Sequence, residues 1–321
     1  MKPEAIRKFK RTIAAHHRLH RRDMPWRAEP TLYYVVVSEI MLQQTQVARI
    51  MDRFPSFIQK FPDWETLAHA STTDVLREWS GLGYNRRGLY LKRIAEKAVN
   101  DPDYVFLKAK EGKRACPRHA SNPAGFALCS SRRTAQSLLQ SVSPLLPDSE
   151  CTNTLPSLYD SLLKLPGIGP NTAGSILAFA FNAPTVFIET NIRSVFIHFF
   201  FAGSKRKVRD DKLIPLIERT LDKKHPREWY YALMDYGSDL KRTVANPSRK
   251  SAHHTKQTAF KGSNRELRSM IIKALLGEEL SLADLRNKLP DDTSVVSIEK
   301  NLHDLEAEGF IRAKDRLYSI L

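Results

Sequence analysis

From Arg7 to about Asn100, apolar residues return every three to four positions, the spacing of helices that bury one face. Met1 to Arg22 is basic and periodic, with Ile6, Phe9, Ile13 and Ala14 on one side, and is read as the first helix of the fold. Turns are expected at Phe61-Pro62-Asp63, Ala70-Ser71-Thr72-Thr73 and Gly81-Leu82-Gly83, with Thr73-Asp74 capping a helix over Val75 to Ser80. Between about Leu107 and Pro156 the period lapses into a Ser-, Arg- and Pro-rich stretch. Compact domains seldom contain so long an unpatterned segment, so 107–156 is read as a mobile insertion with one short helix near Thr134 to Gln140. Helical patterning resumes at Leu158, continues to about Leu240, and gives way to a polar basic stretch from Lys241 to Ser263.

The last segment has its own pattern. A helix is expected over Arg265 to Leu276, a second capped by Ser281 and running to Leu289, and a third over Val296 to Glu308, stopped by Gly309. Residues Phe310 to Ile320 then read as two short strands around a Lys-Asp turn. Three helices and a hairpin make a winged-helix-like module. The chain is therefore predicted to be all-α, with a core over 1–246, a basic linker over 247–263 and the module over 264–321.

The 321 residues include 51 Lys and Arg against 35 Asp and Glu, a net charge of +16. That excess fits a polyanion, and nucleic acid is the expected partner. An anionic membrane surface fits less well, because no basic amphipathic helix stands free of the fold. With 42% hydrophobic residues the chain can bury a core, while no apolar run is long enough to span a membrane. Three cysteines, Cys116, Cys129 and Cys151, are too few for a secreted disulfide framework and imply a reducing interior. Cys116, His119 and Cys129 do not match a zinc spacing, so free thiols and no metal are expected.

Two motifs carry candidate chemistry. In Ser38-Glu39-Ile40-Met41-Leu42-Gln43-Gln44-Thr45-Gln46, one carboxylate lies in an apolar helix, where its pKa can rise enough to donate a proton near neutrality. In Leu165-Pro166-Gly167-Ile168-Gly169-Pro170-Asn171-Thr172-Ala173, Gly167 and Gly169 permit a tight turn into a helix starting at Pro170. The positive end of that helix dipole is a seat for a backbone phosphate, read without regard to base sequence.

Together with Met24-Pro25-Trp26-Arg27 and Trp79-Ser80-Gly81-Leu82-Gly83-Tyr84, these motifs closely resemble the helix-hairpin-helix base-excision glycosylases, and among them the MutY-type adenine glycosylases. The resemblance covers about Arg7 to Asn246, the insertion excepted. It implies a base flipped from duplex DNA into a pocket between two helical domains. Glu39 matches the acid that protonates adenine, and Glu189 stands where the family has a catalytic Asp. At a helix start, Glu189 is expected to be ionised and to stabilise an oxocarbenium-like sugar. Gln44 and Tyr84 match residues that wedge into the base stack. Gln43, Thr45, Gly167, Gly169, Asn171 and Thr172 complete the implied DNA contacts, and Trp26, Arg27, Asn191 and Tyr231 the base pocket. Asn171 occupies the position of the Schiff-base lysine of bifunctional relatives, implying hydrolysis without lyase chemistry.

The sequence also departs from the family. Glu replaces Asp at 189, moving a carboxylate by about 1.5 Å, a displacement that can cost about a hundredfold in rate. Most relatives place four cysteines for a [4Fe–4S] cluster after the motif that here reads Met234-Asp235-Tyr236-Gly237, and this chain has none there. No cofactor is therefore expected, and the basic linker would take over the backbone contacts. The family's C-terminal 8-oxoguanine-checking domain is replaced by the winged-helix-like module. The implied activity is excision of adenine opposite guanine or 8-oxoguanine by a monomer on duplex DNA holding a mismatch or oxidised base. The setting would be the nucleoid of a bacterium, or the nucleus or mitochondrion of a eukaryote.

Overall fold

The computed structural model describes residues 3–108, 155–255 and 259–321. The unpatterned stretch from 109 to 154, with the helix expected near Thr134 and all three cysteines, lies outside the described residues. The chain divides into two compact units: Met1–Glu39 with Pro102–His254, and Ile40–Asp101 with Thr255–Leu321. The division falls inside one helix, Leu32–Leu42, between Glu39 and Ile40.

That helix begins where Thr31 Oγ1 accepts the Tyr34 N–H at 3.1 Å, filling one of the donors a helix start leaves open. Leu32, Tyr33, Val35, Val36, Val37, Ile40 and Met41 are all buried, so apolar contact surrounds the helix instead of one face. Ser38 is buried too and satisfies its hydroxyl on the Val35 carbonyl at 3.0 Å. Glu39 is the one carboxyl side chain the helix carries.

In the first unit, helix Pro3–His20 packs on Pro226–Thr243 through Phe9. Its ring lies 5.0–5.9 Å from those of Phe196, Phe199, Phe200 and Trp229. Helices Leu155–Leu163 and Pro170–Phe181 form a hairpin whose turn contains Gly167 at φ +77°. Asn182, left-handed at φ +52°, ends the second helix, and its side chain accepts the Arg227 N–H at 3.1 Å. An extended segment leads to helix Thr190–Phe201. It is pinned by Thr185 Oγ1 donating to the Gly174 carbonyl and Tyr230 donating to the Thr185 carbonyl, both at 2.8 Å. The helix Pro226–Thr243 runs through Lys241, where the polarity of the sequence predicts linker. Beyond it a 3-10 turn, Pro247–Lys250, precedes a backbone bridge between Ser251 and Val208.

In the second unit, helices Val47–Lys60, Trp64–His69, Thr72–Trp79 and Arg86–Asn100 surround Trp64 and Trp79. Ser71, not Thr73, caps the third of these by accepting the Asp74 N–H at 3.0 Å, which places the start one turn earlier than expected. The terminal module has helices Asn264–Leu275, Leu282–Lys288 and Val295–Ala307 and an antiparallel sheet in the order β1 (Leu280–Ser281), β3 (Leu317–Ile320), β2 (Ile311–Lys314). The two-residue β1 was not foreseen, and the hairpin turns at Asp315 and Arg316, both at positive φ. Three helices and a terminal hairpin are thus present in this segment. The module shares one apolar cluster with Leu76 and Leu89, joining Ile271, Ile272, Leu275, Leu302, Leu305 and Phe310. No helix among the described residues is long and apolar enough to cross a membrane.

Candidate active site

Glu39 meets the hairpin helix at Ser175, whose hydroxyl donates a short hydrogen bond to Glu39 Oε2. The same hydroxyl lies 3.0 Å from the Thr172 carbonyl, one turn back. Ser175 therefore has a partner in either charge state: the Glu39 carboxylate when ionised, Thr172 when Glu39 holds its proton. Burial raises the Glu39 pKa; Ser175 and the Arg27 charge oppose it and the Glu189 charge adds to it, leaving the group at about 7. A carboxyl so placed is close to half protonated at neutral pH, where a general acid is most effective.

Glu189 caps helix Thr190–Phe201, accepting the N–H groups of Asn191 at 2.9 Å and Ile192 at 3.1 Å. The cap follows from chemistry, since a carboxylate at the positive end of a helix satisfies open donors. Burial works against the charge that the cap favours. Burial raises the Glu189 pKa, against Lys241 and the N–H groups of Ile192 and Asn191, and the net displacement is upward. Glu39 and Glu189 are thus both displaced upward by burial in low-dielectric surroundings. Lys241 donates to Asn191 Oδ1 at 2.7 Å, and Asn191 Nδ2 lies 3.4 Å from Glu189 Oε2, so a cation is linked to the acid through one amide.

Two close approaches fix these parts. A Cβ on Gly174 would lie 2.8 Å from Cβ of Phe187, and one on Gly237 would lie 2.6 Å from the Asn191 carbonyl oxygen. Replacing Gly237 with Ala must therefore push the backbone that starts the Glu189 helix. A loss of about 1–3 kcal/mol in denaturant unfolding is the expected result. An unchanged stability would show that the backbone yields there without cost.

The expected base-pocket residues are mostly interior. Trp26, Arg27 and Tyr231 are 5%, 7% and 4% exposed, while Asn191 is partly exposed. Arg27 Nη1 donates to both oxygens of Asp235, at 2.9 and 3.0 Å, and its guanidinium lies 4.3 Å from the Tyr231 ring centroid. Tyr231 in turn stacks on Phe179 at 4.8 Å. Asp235 also accepts from Arg22 Nε at 2.7 Å and lies 3.6 Å from His17 Nδ1. This buried ion cluster and Ser175 escaped the sequence reading. Asp235 lies among residues that supply none of its partners, and Ser175 is a small residue in an apolar helix, so neither carries a local signal.

The hairpin turn is open. A Cβ on Gly169, which caps helix Pro170–Phe181, would meet nothing within 4 Å. Asn171 Oδ1 accepts the Ile188 N–H at 3.1 Å, tying the hairpin to the residue before Glu189, and Thr172 follows it in the first turn. Among the wedge candidates, Gln44 and Tyr84 both adopt left-handed backbones, at φ +56° and +49°. One buried guanidinium organises their loops. Arg87 donates to the carbonyls of Ile40, Met41 and Gln43 at 2.9, 2.8 and 2.5 Å, to Thr45 Oγ1 at 2.9 Å and to the Gly83 carbonyl at 3.0 Å.

The residues following Gly237 do not fit an iron–sulfur cluster. None of 238–254 is a cysteine. The segment is closed instead by Asn246 Oδ1 accepting Ser248 N at 3.0 Å and Ser248 Oγ at 2.8 Å. Val208 pairs with it on both sides, its N–H on the Lys250 carbonyl and its carbonyl on the Ala252 N–H, each at 2.8 Å. Among the described residues no group of His, Cys, Asp and Glu is arranged to hold a metal ion.

A helical hairpin with a glycine turn thus holds Ser175 against a buried carboxyl, the helix-hairpin-helix arrangement that the sequence motifs imply. Residues 37–214 match the HhH-GPD superfamily base excision DNA repair protein family, and the chain belongs to it. It is 28% identical over 223 residues to an adenine DNA glycosylase of Buchnera aphidicola subsp. Baizongia pistaciae, covering 70% of this chain and 50% of the relative. It is also 28% identical over 251 residues to the adenine DNA glycosylase of Homo sapiens, covering 75% of this chain and 36% of the relative. The chain thus spans half or less of the length of these relatives. In fold it is similar to a thermostable thymine-DNA glycosylase, with a TM-score of 0.53 at 20% identity, covering 78% of this chain and 93% of that one.

Proposed function

We propose that this chain is a monofunctional DNA glycosylase that hydrolyses the N-glycosidic bond of adenine mispaired with guanine or 8-oxoguanine in duplex DNA. The observation that carries the proposal is the Glu39 carboxyl, raised to about 7 and held by Ser175 beside the hairpin of a base-excision family. Duplex binding leaves the hairpin on a backbone phosphate while Gln44 and Tyr84 enter the gap vacated by the extruded base. Glu39 delivers its proton to the adenine ring, and the base leaves as a neutral group. Positive charge then develops on the deoxyribose, where the Glu189 carboxylate stabilises it while water adds to the sugar carbon and returns a proton to the Glu39 carboxylate. The upward displacement of Glu189 makes Lys241 important, because the ammonium favours the ionised form that this step needs.

The absence of lyase chemistry is part of the proposal. The side chain of Asn171 cannot form an imine, and it is engaged with Ile188. Duplexes carrying A:G, A:8-oxoguanine, T:G or U:G, incubated with protein and then heated with or without alkali, test the reading. Breaks at adenine only after alkali are expected. Breaks without alkali would contradict hydrolysis alone, and breaks only at T or U would replace the substrate assignment. Tight binding with no breaks would mark a lesion-binding protein.

The phosphate seat has its own test. Aspartate at position 169 fits the open space and is itself a good helix cap, so Gly169→Asp should leave thermal stability intact. Its charge should weaken binding to matched and mismatched duplexes alike, by about tenfold at low salt, with the gap closing as salt rises. A loss confined to mismatched duplexes would assign the hairpin another role.

A further inference from the structure

We propose that the C-terminal module is part of the lesion-probing apparatus, with Arg265 as a positioning residue that holds Tyr84 ready to enter the base stack. The inference rests on the reading of Tyr84 as a wedge. A left-handed backbone is costly for an aromatic residue and persists only where its surroundings over-determine it. Here they do. Gly81 and Gly83 supply φ values of +88° and +70°, and Trp79 Nε1 donates to the Gly83 carbonyl at 3.2 Å. The Arg87 N–H donates to the Tyr84 carbonyl at 2.9 Å. These contacts fix the backbone and leave the ring direction to other groups.

Two guanidiniums set that direction. Arg87 lies 5.4 Å from the Tyr84 ring centroid and Arg265 lies 5.7 Å from it. Arg265 Nη1 also donates to the Tyr84 hydroxyl at 2.7 Å, fixing the far end of the side chain. Arg265 comes from the first turn of helix Asn264–Leu275, 181 residues along the chain.

The module is built to present that arginine at a fixed place. Its apolar cluster includes Leu76 and Leu89. Arg77 donates to the Leu276 carbonyl at 3.2 Å and Arg93 to the Glu308 carbonyl at 2.8 Å, each meeting the negative end of a module helix. Arg86 and Arg268 both pair with the Glu308 carboxylate. The module's third helix, which a winged helix would lay in a major groove, carries Glu299, Asp304 and Glu306 against one lysine, Lys300. Negative charge there disfavours a phosphate-lined groove, so the module's contribution to DNA engagement runs through its first helix.

A double-mutant cycle in the full chain tests this. Wild type, Arg265→Ala, Tyr84→Phe and the double variant are mixed with an A:8-oxoguanine duplex carrying 2-aminopurine beside the adenine. Fluorescence then reports unstacking, and single-turnover excision is followed in parallel. Each single variant is expected to lose about tenfold in the unstacking equilibrium, and the double variant no more than either alone. Arg265→Lys, which keeps the charge without the planar fork, should recover part of the loss. Multiplying losses, or full unstacking in Arg265→Ala, would overturn the proposal. Tyr84→Phe removes one hydroxyl, so it still decides the matter should Arg265→Ala fail to fold: unstacking equal to wild type would contradict a role for that bond. A wild type that unstacks but excises nothing would sink the glycosylase reading and leave this one to be judged on fluorescence.

Discussion

Glu39→Gln is expected to lower adenine excision by at least about a thousandfold while leaving duplex binding within a few fold of wild type. Glutamine keeps the shape and accepts the Ser175 hydroxyl, so the site is conserved except for its proton. The same change should stabilise the protein, and the effect should depend on pH. The folded carboxyl, at about 7, sits above its ordinary value of 4.5, so the unfolded chain loses that proton first. Wild-type stability therefore falls as pH rises from about 4.5 through about 7, by up to about 3 kcal/mol, and the variant escapes that loss. Thermal unfolding at pH 5 and pH 8 checks it: the variant's advantage should be small at pH 5 and large at pH 8. For wild type, excision should decline about tenfold per pH unit above 7. An excision rate flat from pH 6 to 9 would mean another group supplies the proton.

Asp235→Asn is expected to cost about 3–5 kcal/mol of stability and to lower the melting temperature by about ten degrees. The Asp235 side chain is fully buried and the Arg27 side chain is 5% exposed, so the variant leaves a guanidinium in the interior with no counter-charge. Burial raises the Asp235 pKa, but hydrogen bonding from His17 and the charges of Arg27 and Arg22 outweigh it and hold the group at about 2. Hydrogen bonds to Asp235 and Glu228 raise His17 to about 9. The Asp235 contribution is thus complete above about pH 4 and lost as pH falls through about 2. That of His17 is complete below about 6.5 and lost as pH rises through about 9. Denaturant unfolding measures the difference, and a loss below about 1 kcal/mol would show that the cluster is not holding Arg27 in place.

Local signals in the sequence carried further than long-range ones. The glycine turn before Pro170, the apolar helix around Glu39 and the capping position of Glu189 each depend on a few neighbouring residues, and each could be read from them. What could not be read is pairing across the chain. Arg27 meets Asp235 over 208 residues and Tyr84 meets Arg265 over 181, separations over which periodicity holds no information. Trp26 illustrates the same limit: its burial, at 5% exposure, depends on the assembled fold and not on the motif around it. At Glu189 the cap favours the charged form while burial opposes it, and the burial is a property of the assembled fold that neighbouring residues do not disclose. Ser71 displaced Thr73 as a cap for a simpler reason, since either residue satisfies the rule and the start of packing chooses between them.

The central claim is that a proton from Glu39 releases adenine. It is tested most directly by identifying the free base released in a single turnover from duplexes holding A:G, A:8-oxoguanine, T:G and U:G at pH 7. Wild type should release one equivalent of adenine from the adenine mispairs and Glu39→Gln should release none. Release of thymine or uracil instead, or undiminished adenine release by the variant, would contradict it.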